Sequence, residues 1–166
     1  MLQKKICMLG SFSVGKTSLV KRFVASIFSE RYLTTVGVKI DKKVVTAGGG
    51  ELTLMLWDLY GEDEYQKIRM SYLRGASGYL LVADGTRLAT LDKALAIQEE
   101  AEKNFGPTPY VVALNKCDLK AEWEIPTERE AEIGGRTRGA LVRTSARTGE
   151  GVELAFDLLA KAMIAT

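Results

Sequence analysis

Residues Gly10 to Thr17 read GSFSVGKT, in the frame G-x-x-x-x-G-K-T. The run before them, Gln3 to Leu9, reads as a short strand. The segment after, Lys16 to Ser26, carries Leu19, Val20 and Phe23 on one helical face. A glycine turn between strand and helix offers backbone N–H groups and a helix N-terminus to an anion. In this frame Lys16 reaches the β- and γ-phosphates of a polyphosphate, and the Thr17 hydroxyl is placed to ligate Mg²⁺. Phe12 is bulky for a loop that wraps a phosphate. Its side chain can point outward while its backbone serves the anion.

Trp57-Asp58-Leu59-Tyr60-Gly61-Glu62 places an Asp at the end of a strand and a Gly three residues on. Alone, D-x-x-G is common, and Asp58 could be only a strand-end cap. After a phosphate loop, Asp58 suits Mg²⁺, through water, and the Gly61 N–H can approach a γ-phosphate. Asn115-Lys116-Cys117-Asp118 follows the apolar run Tyr110 to Leu114. The Asp118 carboxylate can accept from both N1–H and the exocyclic amine of guanine, a donor pair that adenine lacks. A wrong base leaves that charge unpaired. Asn115 would support the loop and meet the base edge, and the Lys116 stem would cover sugar and base. Thr144-Ser145-Ala146-Arg147 follows a last short strand. A backbone N–H there could meet guanine O6, with the Arg147 stem against the base, and a bland loop is its rival.

These motifs need strands to end at one edge. Val38 to Thr46 and Glu51 to Trp57 read as strands joined by Gly48-Gly49-Gly50, an antiparallel hairpin. In the second, Leu52, Leu54 and Leu56 alternate with Thr53, Met55 and Trp57, so both faces are largely apolar and suit a covered sheet. Gly78 to Ala83 and Tyr110 to Leu114 are short, nearly all-apolar runs that fit central parallel strands. Helices are expected over about 86–104, 127–136 and 150–164, the last with Val152, Ala155, Phe156, Leu159 and Met163 inward. Ile27 to Val36 shows no period and reads as a loop. Strands alternating with helices imply an α/β fold with a mostly parallel sheet, whose ligands bind at the C-terminal strand ends.

With 166 residues, the chain is expected to form a single domain spanning 1–166. Net charge is +2, which does not point to nucleic acid or a membrane surface. There is no His, which excludes a Ser-His-Asp triad and His-ligated metals. Cys7 and Cys117 have no metal-ligand spacing and read as reduced thiols of a cytoplasmic chain. The C-terminal Lys161 to Thr166 carries no prenylation Cys, so no membrane anchor is expected in this chain.

Taken in order, GSFSVGKT, WDLYGE, NKCD and TSAR resemble the motifs of small GTPases of the Ras superfamily, across essentially the whole chain. Thr34-Thr35-Val36-Gly37 resembles the first switch in its Rab-like form. The resemblance implies a P-loop NTPase G domain: six strands, one of them antiparallel, with helices on both faces. It implies a switch that binds GTP or GDP with Mg²⁺ and hydrolyses GTP. The nucleotide would lie against Ser13, Val14, Gly15, Lys16, Thr17 and Ser18, and against Asn115, Lys116, Asp118, Leu119, Ser145, Ala146 and Arg147. Thr35 would ligate Mg²⁺ with Thr17 and Asp58, and contact the γ-phosphate. Phe28 would pack on the guanine edge and Tyr32 would close over the phosphates. Lys16, Thr35, Gly61 and Glu62 would carry catalysis, by arrangement rather than covalent chemistry. Effector and regulator proteins would meet Ser29 to Val38 and Tyr60 to Leu73.

Three departures cluster at the γ-phosphate. Phe12 replaces a small residue and obstructs the approach of an arginine finger, worth ~10³–10⁵ in rate. Glu62 replaces a Gln that orients water; a carboxylate ~5 Å from the anion costs on the order of 3 kcal/mol per unit charge at an effective dielectric near 20. Leu59-Tyr60 replaces smaller residues, and Tyr60 beside Phe12 could build an apolar lid. The expectation is slow hydrolysis and a poor response to an arginine-finger activator. The alternative is a GTP-held or nucleotide-insensitive binding module with negligible turnover.

Overall fold

A computed structural model describes residues 2–24, 31–33, 38–59, 70–137 and 140–165, of which 31–33 are described as backbone only. The strands are β1 (Leu2–Leu9), β2 (Arg31–Leu33), β3 (Val38–Ala47), β4 (Gly50–Leu59), β5 (Gly78–Asp84), β6 (Tyr110–Asn115) and β7 (Leu141–Arg143). They form one sheet in the order β2-β3-β4-β1-β5-β6-β7. β1 is parallel to β4 and β5, β5 to β6, and β6 to β7, while β3 runs antiparallel to both neighbours. The six expected strands with one antiparallel member are therefore present. β2 is an addition, and it corrects the reading of 27–36 as loop throughout. It pairs with the outer edge of β3, Tyr32 opposite Ile40. Edge pairing is made by backbone groups and needs no apolar alternation, so periodicity could not reveal it.

Helices α1 (Lys16–Val24), α2 (Leu88–Phe105), α3 (Thr127–Arg136) and α4 (Val152–Ile164) cover the two faces. Leu19, Val20 and Phe23 of α1 and Val152, Phe156 and Leu159 of α4 pack on Ile6, Met8, Leu54 and Leu56. The Phe23 and Phe156 rings stack at 3.9 Å and 7°. Leu91, Ala94 and Leu95 of α2 and Ile133 of α3 pack on Cys7, Leu9, Leu81 and Leu114. Alternate residues of one strand thus serve opposite layers, as a doubly covered sheet requires.

The expected apolar face of α4 is buried throughout. The second face of β4 is less covered than its composition suggests: Met55 and Trp57 are half-buried, with Lys5 Nζ 3.7 Å from the Trp57 ring centroid. Gly48 and Gly49, with φ of 62° and 81°, make the two-residue turn between β3 and β4. α2 begins at Leu88 rather than Thr86, because Thr86 turns its N–H and hydroxyl back onto Asp84. The parallel strands end at Leu9, Leu59, Asp84, Asn115 and Arg143, so the loops bearing the motifs leave from one edge.

Candidate functional site

The turn 10–15 runs from β1 into α1. A Cβ on Gly10 would lie 2.3 Å from the Val82 carbonyl, and one on Gly15 would lie 2.3 Å from Asn115 Nδ2. Both glycines are thus dictated by close approach. Asn115 is buried and uses both ends of its amide. Its Nδ2 donates to the Val14 carbonyl at 3.0 Å, and its Oδ1 accepts from Thr144 Oγ1 at 3.1 Å. One side chain therefore joins three loops, the support expected of it.

Lys16 is buried, and its Nζ donates to the carbonyls of Gly10 (2.8 Å) and Ser11 (3.3 Å). Thr17 Oγ1 donates to Asp58 Oδ2 at 2.5 Å. Asp58 Oδ1 is buried and, among the described residues, has no hydrogen-bond partner. A hydroxyl and a buried carboxylate are hard oxygen donors, and a cation there would satisfy the orphaned oxygen. Among the described residues no three His, Cys, Asp or Glu converge on a metal site. Thr17 and Asp58 would supply oxygens to such an ion, and water and phosphate oxygens are the usual further ligands of Mg²⁺.

Two cavities adjoin. One, of about 370 Å³, is lined by the turn, Lys16, Thr17, Ser18, Asp58 and Lys116. The other, of about 450 Å³, is lined by Gly15, Ser18, Asn115, Lys116, Asp118, Leu119, Ala146 and Arg147. Gly15, Ser18 and Lys116 belong to both, so a single elongated ligand can occupy them together. Phe12 stands at the rim of the first, 57% exposed, with its ring outward as the sequence allows.

Ser145 is fully buried, and its N–H donates to the Glu150 carbonyl at 2.9 Å. Its hydroxyl donates to Asp118 Oδ1 at 2.8 Å and accepts from the Thr148 N–H at 3.1 Å. It serves the site by fixing Asp118. Behind it, burial first and then the Glu150 carboxylate, 3.2 Å away, push the Cys117 thiol up to about 11.

A model of the Ras family matches residues 5–165. The chain belongs to that family. Among its curated relatives is the mouse Ras-related protein Rab-17, 38% identical over 162 residues, 96% of this chain and 75% of the relative. The bovine Ras-related protein Rab-25 is 36% identical over 163 residues, 97% of this chain and 76% of that one. The Dictyostelium discoideum Ras-related protein RabJ is 31% identical over 164 residues, 98% of this chain and 64% of that one.

Several positions that the Ras-family resemblance assigns lie outside the described residues: Phe28, Thr35, Tyr60, Gly61, Glu62 and the side chain of Tyr32. At the ends of the two expected protein-contact stretches, Val38 and Leu73 are corrected. They are 2% and 1% exposed and belong to the core cluster of Cys7, Leu9 and Leu81, so neither offers surface.

Sequence reasoning missed Asp84 and Arg87. Asp84 ends β5 and is buried. It accepts from the Thr86 N–H and hydroxyl, from Arg87 Nε at 3.0 Å and from Lys116 Nζ at 2.9 Å. Burial pushes its carboxyl up, but these bonds outweigh it and hold it at about 2. The available signal was positional: Asp84, like Asn115, is a polar residue closing an apolar strand at the edge where the motifs gather.

Proposed function

We propose that this Ras-family chain is a Mg²⁺-dependent guanine-nucleotide switch that hydrolyses GTP slowly. The observation that supports it best is the pair of adjoining cavities, one suited to a polyphosphate and one to a base, sharing Gly15, Ser18 and Lys116. Backbone N–H groups of the turn and Lys16 Nζ hold the phosphates, the ammonium dividing its three N–H donors between the Gly10 and Ser11 carbonyls and the ligand. Asp118 accepts from guanine, with Ser145 fixing its orientation. Thr17 and Asp58 hold Mg²⁺, which supplies charge neutralisation between the phosphates when bound. Thr35, Gly61 and Glu62 complete the γ-phosphate side, with Phe28 and Tyr32 at the base and phosphates. Effectors and regulators meet the accessible parts of 29–37 and 60–72, and the whole chain acts as one G domain.

A second reading is a GTP-held binding module. Phe12, exposed at the rim of the phosphate cavity, favours it, because the ring occupies the approach an arginine finger would take. Single-turnover phosphate release from the GTP- and Mg²⁺-loaded protein separates the two. Slow release that falls further in Glu62→Gln is expected for the self-timed switch. No release over hours, restored by Phe12→Gly or Glu62→Gln, indicates the module. A protein that retains no guanine nucleotide rejects both.

A further inference from the structure

Among the described residues, only Ser13 and Lys116 combine a side chain with a positive φ, 62° and 70°. Such backbone is unfavourable for ordinary residues and persists where its surroundings over-determine it. These two residues are bonded to each other, Lys116 Nζ donating to the Ser13 carbonyl at 3.2 Å. The same Nζ lies 2.9 Å from Asp84 Oδ2. Asp84 Oδ2 also accepts from Arg87 Nε at 3.0 Å, and Arg87 Nη2 donates to the Phe12 carbonyl at 3.1 Å.

One carboxylate oxygen therefore gathers two cations, and the two cations grip consecutive carbonyls of the phosphate turn. The carboxylate is itself fixed. Its Oδ1 accepts twice from Thr86, and the Asp84 N–H donates to Thr90 Oγ1 at 2.8 Å. Glu124 secures the turn 84–88 from outside, its N–H donating to the Gly85 carbonyl and its Oε1 accepting from the Leu88 N–H, each at 2.8 Å.

We propose that Asp84 and Arg87 are positioning residues that strap the phosphate turn to the base loop and thereby set how long the nucleotide stays bound. The inference rests on the guanine-nucleotide reading above. Neither residue lines either cavity, so both act through Lys116 and the backbone of residues 12 and 13. Arg87 is suited to this because its planar fork spans a carboxylate and a carbonyl at once, which a Lys ammonium cannot reproduce in the same geometry.

The test compares wild type, Arg87→Ala, Arg87→Lys and Asp84→Asn by amide hydrogen exchange and by release of a fluorescent GDP analogue. Peptides over 10–17 and 115–119 are expected to exchange faster in Arg87→Ala and faster again in Asp84→Asn, with sheet peptides unchanged. GDP release quickens roughly fivefold and roughly thirtyfold, the scale of one and then two lost charge-assisted bonds. Arg87→Lys keeps a charge beside Asp84 but stays close to Arg87→Ala. Unchanged turn exchange in Arg87→Ala and Asp84→Asn overturns the strap even if wild type holds GDP. Faster exchange across the whole sheet overturns it too, as general destabilisation. A wild type that binds no guanine nucleotide overturns the functional reading, and with it the proposed effect on residence time, while turn exchange still reports whether the strap exists.

Discussion

The phosphate half and the base half of the site are built on opposite plans. In the phosphate half the working groups are engaged with each other: Lys16 is bonded to the carbonyls of Gly10 and Ser11, and Thr17 to Asp58. A ligand there shares or exchanges those bonds. In the base half the working group, Asp118, is held from behind by Ser145, and the face toward the cavity is left to the ligand. Exchanged bonds give little net energy each, whereas a fixed charge that only one base can satisfy discriminates strongly. The first half is suited to gripping any polyphosphate and the second to choosing its base.

The sharpest way to break this contrast is to remove one working group from each half. Asp118→Ala is expected to weaken GDP binding on the order of a hundredfold and to collapse the preference for GDP over ADP. Lys16→Ala is expected to weaken GDP and ADP alike, leaving their ratio near its wild-type value. Competition titrations against a fluorescent nucleotide read both. A Lys16→Ala variant that loses base preference would show that the halves are not separable.

A smaller effect tests preparation from behind. Ser145→Ala leaves every cavity-lining group in place but frees Asp118 to reorient. GDP affinity is expected to fall roughly fivefold, about 1 kcal/mol, with Tm lowered by about 2–4 °C for the two bonds of a buried hydroxyl. Wild-type affinity in that variant would mean that Asp118 needs no support. The smallest effect lies outside both halves. Gly134 and Gly135 end α3 with open space where a Cβ would go and with no positive φ. Each Gly→Ala change is expected to stabilise the fold by up to about 1 kcal/mol, raising Tm by about 2–4 °C, without altering nucleotide affinity. Altered affinity would tie α3 to the site.

Legibility in the sequence followed the same divide between local pattern and distant partnership. The strand–turn–helix around Gly10 to Thr17, the all-apolar runs of β5 and β6 and the inward face of α4 are written in neighbouring residues, and all appear as read. Asp84 and Arg87 were not legible, because their partners Lys116 and Phe12 stand 32 and 75 positions away, and nothing adjacent marks them. Ser145 was legible as part of the site but not in its role. Whether a serine offers its N–H or its hydroxyl depends on where Glu150 and Thr148 fold back, and that is fixed only by the turn leading into α4. β2 escaped because an edge strand is recruited by its neighbour.

The stacked rings of Phe23 and Phe156 have a mechanical meaning. α1 starts at the phosphate turn and α4 starts just past the loop of residues 144–147, and the rings join them face to face within the core. Neither helix can tilt alone without unstacking an aromatic pair worth about 0.5–1.5 kcal/mol beyond its buried area. The two ends of the site thus stand on a shared foundation. A tilt of either helix is resisted through the other, like jaws set on one frame.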